Sequence, residues 1–173
     1  MRVTIPAVLA VAVMGCAAKP SQPQPEQQPQ QQSSTEEETQ KAGSYAGSIS
    51  AWRQHPEVWR QQCERVDPQG SAQRLKAKEA WEVANKEELT RADSLVRRAA
   101  DRALPESAGV DRGEAFRAAV FMRVSQTVYF MDAAKKTEMC KHYADLPFFH
   151  EPAAAWRTEA YDYLDKWLSS SGE

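Results

Sequence analysis

Apolar residues recur at helical spacing over most of the chain after residue 50, and no alternating run of β-branched residues predicts a strand. Trp52, Trp59, Cys63 and Val66 follow one another at intervals of seven, four and three residues, which places them on one side of a helix. Pro56 suits the first turn of that helix, where its missing N–H has no partner to lose. The pattern predicts a short first helix over residues 55–66.

A second, long helix is predicted over roughly residues 72–104, because Leu75, Leu89, Val96 and Ala103 fall on one stripe. Its other face carries acid-first pairs at a spacing of four, such as Glu87/Arg91, which are typical of a solvated face. The turn formers of "PESAGVDRG" end it.

A third helix is predicted over about residues 114–144. Its stretch "AFRAAVFMRVSQTVYFM" is apolar on most sides, as expected for a helix covered by neighbours, so we expect it to form the centre of the domain. Arg117, Arg123 and Asp132 argue against a membrane span. Pairing of Arg123 with a buried acid, or extension of its side chain to solvent, is expected rather than a functional role.

A last helix is predicted to open at Pro152, with Trp156, Ala160 and Trp167 at helical spacing. The predicted fold class is therefore all-α. We expect residues 50–173 to form a small four-helix bundle-like domain, in which the second and third helices make a long antiparallel hairpin.

Residues 16–49 differ in composition from the predicted domain, since "KPSQPQPEQQPQQQSSTEEETQKAGSYAGS" has almost no apolar residue before Tyr45. Such a stretch buries too little apolar surface to offset chain entropy, which predicts a disordered linker. A plain spacer is the preferred interpretation, and a polyproline ligand is the alternative.

Residues 1–15 have the pattern of a signal peptide. They contain a single charge, Arg2, followed by about 13 apolar residues, fewer than the roughly 20 that span a bilayer as a helix. Val13-Met14-Gly15-Cys16 ends this run and resembles the lipobox of bacterial lipoprotein precursors. The alternative is an ordinary signal peptide with an incidental cysteine.

The resemblance implies that cleavage occurs before Cys16, and that Cys16 receives diacylglycerol on its thiol and a fatty acyl chain such as palmitate on its new amino group. Two or more acyl chains give stable attachment, so the mature chain would be anchored to a membrane without spanning it. Ala17 resembles the residue that follows the cysteine in outer-membrane-directed lipoproteins. We therefore expect an exported protein on the periplasmic or surface face of the outer membrane.

Cys63 and Cys140 are the remaining cysteines, and an exported pair is usually a disulfide. In the predicted antiparallel hairpin both lie at the same end, and closing a loop of this length would stabilise the fold by about 4 kcal/mol. A redox-active pair is the alternative, although the sequence has no CxxC motif.

Candidate chemistry is sparse. The chain has 22 basic and 24 acidic residues, so no bulk charge favours nucleic acid. His142 lies one turn from Glu138, but a zinc site needs three or four converging ligands and Cys140 is expected in the disulfide. The sequence offers no nucleophile elbow or phosphate loop. We expect no catalytic residue, no metal, no cofactor and no enzymatic activity.

Aromatic residues give the main functional signal. Most must line the core, but the "LPFFHEP" loop and one face of the last helix could leave an exposed apolar groove for an amphipathic partner helix. The candidate groove residues are Phe148, Phe149, Trp156, Tyr163 and Trp167. The predicted function is a lipid-anchored protein-interaction or assembly module with an envelope protein partner. The alternative is a binder of a small molecule or envelope polymer.

In plan, the chain is similar to the pilotin lipoproteins of type II secretion systems, which combine a lipobox, a polar spacer and a small helical domain with one disulfide. "CERVDP" at Cys63 and "EMCKHY" at Cys140 resemble that family's cysteine contexts. Only these two cysteines are carried over from the resemblance, which implies their pairing.

Overall fold

The structure, a computed structural model, describes residues 29–106, 109–150 and 155–170, with side chains from residue 35 onwards. Every regular element in these ranges is helical, which confirms the predicted all-α class. The α-helices are α1 Pro29–Val66, α2 Ser71–Ala84, α3 Lys86–Ala103, α4 Arg112–Tyr129, α5 Ala133–Lys141, α6 Pro147–His150 and α7 Ala155–Ser169. Two short 3₁₀ turns, Pro68–Gly70 and Tyr143–Asp145, connect them.

Helix α1 is the central element, because α2, α3, α4, α5, α6 and α7 all contact it. Helices α3 and α7 cover one side of its first half, where Ala42, Ala46 and Ile49 are at most 1% exposed. Helix α4 contacts another side and α5 contacts its C-terminal end. The expectation that the third predicted helix forms the centre is therefore wrong. In its place the structure has α4, in which only Gly113, Val124 and Val128 are buried.

The predicted boundary of the helical domain at residue 50 is also wrong, because residues 29–49 belong to α1. Ala42, Ala46 and Ile49 recur at intervals of four and three, which buries one stripe against α3 and α7. Small side chains give this stripe little hydrophobic signal in the sequence. The rest of the predicted linker, residues 16–28, lies outside the described residues, as do the signal peptide and Cys16.

The predicted short helix at 55–66 is the second half of α1, so Pro56 lies inside a helix rather than at its start. The helix continues past the missing N–H because Trp52 before Pro56 and Val58 after it are both buried against other helices. The Tyr143 hydroxyl donates a hydrogen bond of 2.7 Å to the Pro56 carbonyl.

Both predicted long helices are interrupted. The second breaks at Asn85, whose backbone and side-chain N–H groups both donate to the Trp81 carbonyl, and α3 restarts at Lys86. The third breaks after Tyr129, and Asp132 caps α5 by accepting a hydrogen bond of 2.9 Å from the Lys135 N–H. The last helix is described from Ala155, and its predicted start at Pro152 lies outside the described residues.

An antiparallel hairpin is present, although it joins the shorter helices α3 and α4. Arg97 lies beside Gly113 and pairs with Asp111 at 3.1 Å, while Asp93 and Arg117 line one cleft a turn further along. Helix α7 runs beside α3, with Arg91 and Asp165 paired at 2.9 Å.

The predicted disulfide between Cys63 and Cys140 is present in the structure, with 5.3 Å between the two Cα atoms. It ties α5 to the C-terminal part of α1, inside a small core cluster that includes Val58, Trp59 and Val128. A larger cluster fills the space between α1, α3 and α7. In the part of the chain that the structure describes, no helix combines the length and apolarity needed to cross a bilayer.

Candidate functional site: an open groove along helix α1

Within residues 29–106, 109–150 and 155–170, one side of α1 is left open between α4 and the α6–α7 region. Its floor is made of Ser44, Ser48, Ala51 and His55, which lie at intervals of four, three and four residues and so form one stripe. Two depressions meet along this stripe, and we call them together the α1 groove. The floor with its flanking Gly43 extends over about 18 Å at 1.5 Å per residue, the length of a helix of roughly 12 residues.

Helix α4 forms the first wall. The depression on this side has a volume of about 540 Å³ and also borders Gly43 and Gly47 of α1. The wall residues recur every three or four positions, and all except one cation and one threonine are apolar: Phe116, Val120, Arg123, Val124, Thr127 and Val128. The wall is therefore an apolar stripe with a single charge.

Aromatic residues form the second wall, where the depression has a volume of about 630 Å³. Phe148 stacks on His55 of the floor with 5.8 Å between ring centroids, and Trp156 of α7 lines the same depression. The Nδ1 atom of His55 lies 2.7 Å from the Ala51 carbonyl oxygen, which holds the ring along the floor. Tyr45, Trp52 and Pro147 complete the wall.

The two glycines of the groove are not needed by the packing that the structure describes. A Cβ atom added at Gly43 or at Gly47 would have no heavy atom within 4 Å. Glycine inside a helix destabilises it by about 0.5–1 kcal/mol relative to alanine. The described part of the fold therefore bears this cost twice without a steric reason, and the space above both residues stays open.

The buried residue behind the second wall is Arg157, which is 2% exposed. Its Nε atom lies 2.8 Å from a carboxylate oxygen of Glu88, and its guanidinium stacks over Trp52 at 4.4 Å. Burial of this ion pair fixes α7 against α3 and holds Trp52 at the edge of the groove.

Charges around the groove are few. Arg123 is exposed on the α4 wall, and among the described residues no carboxylate lies within ion-pair distance of it. Of the two expected arrangements, the side chain therefore has the extension to solvent and not the pairing with a buried acid. Near the other wall, the Tyr45 hydroxyl donates a hydrogen bond of 2.5 Å to Glu159, which raises the pKa of Tyr45.

The structure places the five predicted groove residues in different surroundings. Phe148 and Trp156 line the groove. Phe149 instead turns towards the interior, with its ring 5.0 Å from that of Tyr143. Trp167 is 5% exposed under the Arg102 guanidinium, so its assignment to an exposed groove was wrong. Tyr163 packs on Tyr45 above the groove and donates to the Glu38 carbonyl.

Sequence reasoning missed the α1 floor and the α4 wall. The floor residues are serine, alanine and histidine, which give no hydrophobic signal. The α4 wall belongs to a predicted helix that is apolar on most sides, and this pattern predicts coverage by other helices of the chain itself. In the part of the chain that the structure describes, no helix covers this apolar side of α4, and this lack of cover is what marks it as a candidate binding surface.

The described side chains were also compared with the requirements of a metal site. In residues 29–106, 109–150 and 155–170, no group of three or more His, Cys, Asp or Glu side chains converges as a metal site would require. His142 contacts Glu138 at 3.3 Å on an exposed helix end, far along the chain from His55 in the groove.

Comparison of the chain with protein-family models, with curated proteins and with solved structures found no match in any of the three.

Proposed function

We propose that this chain is an exported, lipid-anchored envelope protein whose helical domain binds a helical segment of a partner protein in the α1 groove. The observation that carries the proposal is the groove itself, an apolar trough with open glycines that the described part of the chain does not fill. Grooves of this kind accept an amphipathic helix through its apolar face.

The shape of the groove favours a polypeptide over a small molecule. Small-molecule sites enclose most of the ligand surface, whereas Ser44, Ser48, Arg123 and Thr127 are all exposed to solvent. The glycines and serines of the floor would let a partner backbone approach closely, as small residues do where two helices cross. The length of the floor matches about three turns of helix.

The anchoring part of the proposal is supported by the sequence of residues 1–17. The short apolar run followed by Val13-Met14-Gly15-Cys16 fits acylation at Cys16, and Ala17 fits delivery to the outer membrane. The disulfide between Cys63 and Cys140 is compatible with an oxidising compartment.

Mass spectrometry of the mature protein tests the anchor. We expect an N-terminal Cys16 that carries diacylglycerol and an amide-linked acyl chain, and we expect Cys16→Ser to abolish this modification. A mature protein with an unmodified first residue would refute the anchor.

Site-specific photocrosslinking in intact cells tests the groove. A photoreactive residue at Ser48 lies on the floor, whereas the same residue at Ser94 lies on the exposed face of α3 and serves as the matched control. We expect Ser48 to crosslink to one amphipathic segment of an envelope protein, identified by mass spectrometry of the joined peptides. Equal or absent crosslinking at the two positions would refute binding in the groove.

A further inference from the structure

A second apolar surface lies where α4 meets α5, and it differs from the groove in shape. Phe130 is 80% exposed, and Met122 and Tyr129 are exposed by 58% and 57%. The Tyr129 and Phe130 rings pack edge to face against each other, with 5.3 Å between their centroids. We call these three residues with Lys135 and Lys136 the α4–α5 corner. Its side chains project outwards from the surface.

The charge around this corner is positive. Residues 129–141 contain three cations, Lys135, Lys136 and Lys141, and two carboxylates, Asp132 and Glu138. Both carboxylates already have partners, because Asp132 caps α5 and Glu138 lies 3.1 Å from the Lys141 Nζ atom. The Lys136 Nζ atom donates to the Tyr129 carbonyl and lies 5.5 Å from the centre of the Tyr129 ring. Exposed aromatic rings and lysines therefore occupy one small area.

We infer that the α4–α5 corner rests on an anionic lipid surface, and this inference rests on the proposed anchoring of the chain to a membrane. Tyrosine and other aromatic side chains favour the bilayer interface, and basic residues are attracted by anionic headgroups. A deformable interface accommodates projecting rings, whereas a protein partner would need a matching pocket. Two copies of the corner would bring their lysines together, which disfavours self-association.

The inferred contact leaves the α1 groove accessible. Successive residues of α4 are rotated by about 100° around the helix axis. Val120 lines the groove, and by this rotation Met122 and Tyr129 lie on the opposite side of the helix. A membrane under the α4–α5 corner would therefore orient the groove away from the lipid, towards a partner.

Vesicle partitioning of the full mature chain carrying Cys16→Ser tests the corner without the anchor. The probes are phosphatidylcholine vesicles with and without phosphatidylglycerol. We expect partitioning into the phosphatidylglycerol vesicles to fall about fivefold or more with Phe130→Ser and with Lys135→Glu/Lys136→Glu. Val83→Ser is the matched control, since Val83 is 78% exposed on α2 and its loss should leave partitioning unchanged.

Absence of partitioning, or partitioning equal in Phe130→Ser and Val83→Ser, would overturn the inference. So would a dimer in sedimentation that Phe130→Ser abolishes, because the corner would then bind a second copy. Circular dichroism and thermal unfolding check that each variant folds. The acyl mass at Cys16 is measured separately, so failure of the corner and failure of the anchor are distinguishable.

Discussion

Helix α1 carries small residues on two sides, and the described residues cover only one of them. On the closed side Ala42 and Ala46 are at most 1% exposed beneath α3 and α7. On the open side Ser44 and Ser48 are exposed, and Gly43 and Gly47 have free space above them. The two sides are only one or two residues apart in sequence.

The comparison shows that a small residue in a helix does not by itself indicate whether that side of the helix is packed or open. Alanine on the closed side permits close packing of helices within the chain. Glycine and serine on the open side are also small, but the described part of the chain leaves the space above the glycines empty, and under the proposed function a helix of another molecule would occupy it. Burial by the chain itself distinguishes the two cases, and mutations on the two sides should therefore differ in their effects.

The largest effect is expected from the disulfide, which fixes α5 against the end of α1 below the open side. Cys63→Ala/Cys140→Ala removes a covalent bridge with a sequence separation of 77. Because the unfolded chain gains conformational freedom, we expect the free energy of unfolding to fall by about 4 kcal/mol. Urea unfolding followed by circular dichroism measures this change, and a loss below about 1 kcal/mol would show that packing alone holds α5.

The next largest effect is expected at Arg157 behind the closed side. Arg157→Ala leaves Glu88 without its buried partner and should lower the free energy of unfolding by about 3 kcal/mol. Arg91→Ala is the matched control, because Arg91 also joins α3 to α7 through Asp165 but half of its side chain is exposed. Its loss should cost at most about 1 kcal/mol. Equal losses in urea unfolding would contradict the importance of burial here.

A smaller difference in the free energy of unfolding is expected between two substitutions, one on the closed side of α1 and one on the open side. Ala46→Leu overfills the contact with α3 and α7 and should destabilise the protein by about 2 kcal/mol. Ser48→Leu points into the open groove and should change stability by less than about 0.5 kcal/mol. Thermal unfolding of the two variants compares the sides directly, and equal destabilisation would show that the groove is closed in solution.

The glycines of the open side should allow stabilisation. Gly47→Ala should raise the free energy of unfolding by about 0.5–1 kcal/mol, because the added methyl group meets no atom and the unfolded chain loses freedom. Gly113→Ala is the contrasting variant, since its Cβ atom would lie 2.9 Å from Arg97 on the α3–α4 contact. We expect it to destabilise in the same urea assay. A higher free energy of unfolding for Gly113→Ala and a lower one for Gly47→Ala would contradict the assignment of an open and a closed position.

The smallest effect on stability is expected from a change of pH. It acts on the cap at the start of α4, the helix that forms the first wall. Asp111 caps α4, and its hydrogen bond from the Glu114 N–H lowers the pKa of the Asp111 carboxyl below 3.8. A lowered pKa in the folded state gives stability that is present above the unfolded value and is lost as pH falls through the folded value. Thermal unfolding should therefore change little from pH 7 to 5 and weaken below about pH 4. Asp111→Asn keeps a capping oxygen and should flatten this decline. If Asp111→Asn loses stability at low pH as the parent chain does, other carboxylates cause the loss.

The sequence was sufficient for the all-α class and the disulfide, because strong helical periodicity and an isolated cysteine pair are local signals. It did not predict the breaks at Asn85 and after Tyr129. At Asn85 the neighbouring residues Ala84 and Lys86 are good helix formers, so local helix propensity gives no signal for that break. The extent of α1 was missed because its buried stripe begins with alanines.

The candidate site was predictable only in its aromatic wall. Phe148 and Trp156 stood out as large apolar residues near a loop, but Trp167 stood out equally and is buried. Sequence spacing places residues on a face without showing whether another helix covers that face. The serines and glycines of the floor become informative only once the open space above them is known.

The most direct measurement compares two serine-to-tryptophan variants at exposed helical positions. Ser48→Trp fills the floor of the α1 groove, and Ser94→Trp adds the same bulk to the open face of α3. We expect both variants to keep the thermal stability of the parent chain, whereas only Ser48→Trp loses the partner identified by crosslinking in co-purification. Retention of that partner by Ser48→Trp at the parent level would contradict the assignment of the open side of α1 as the binding surface.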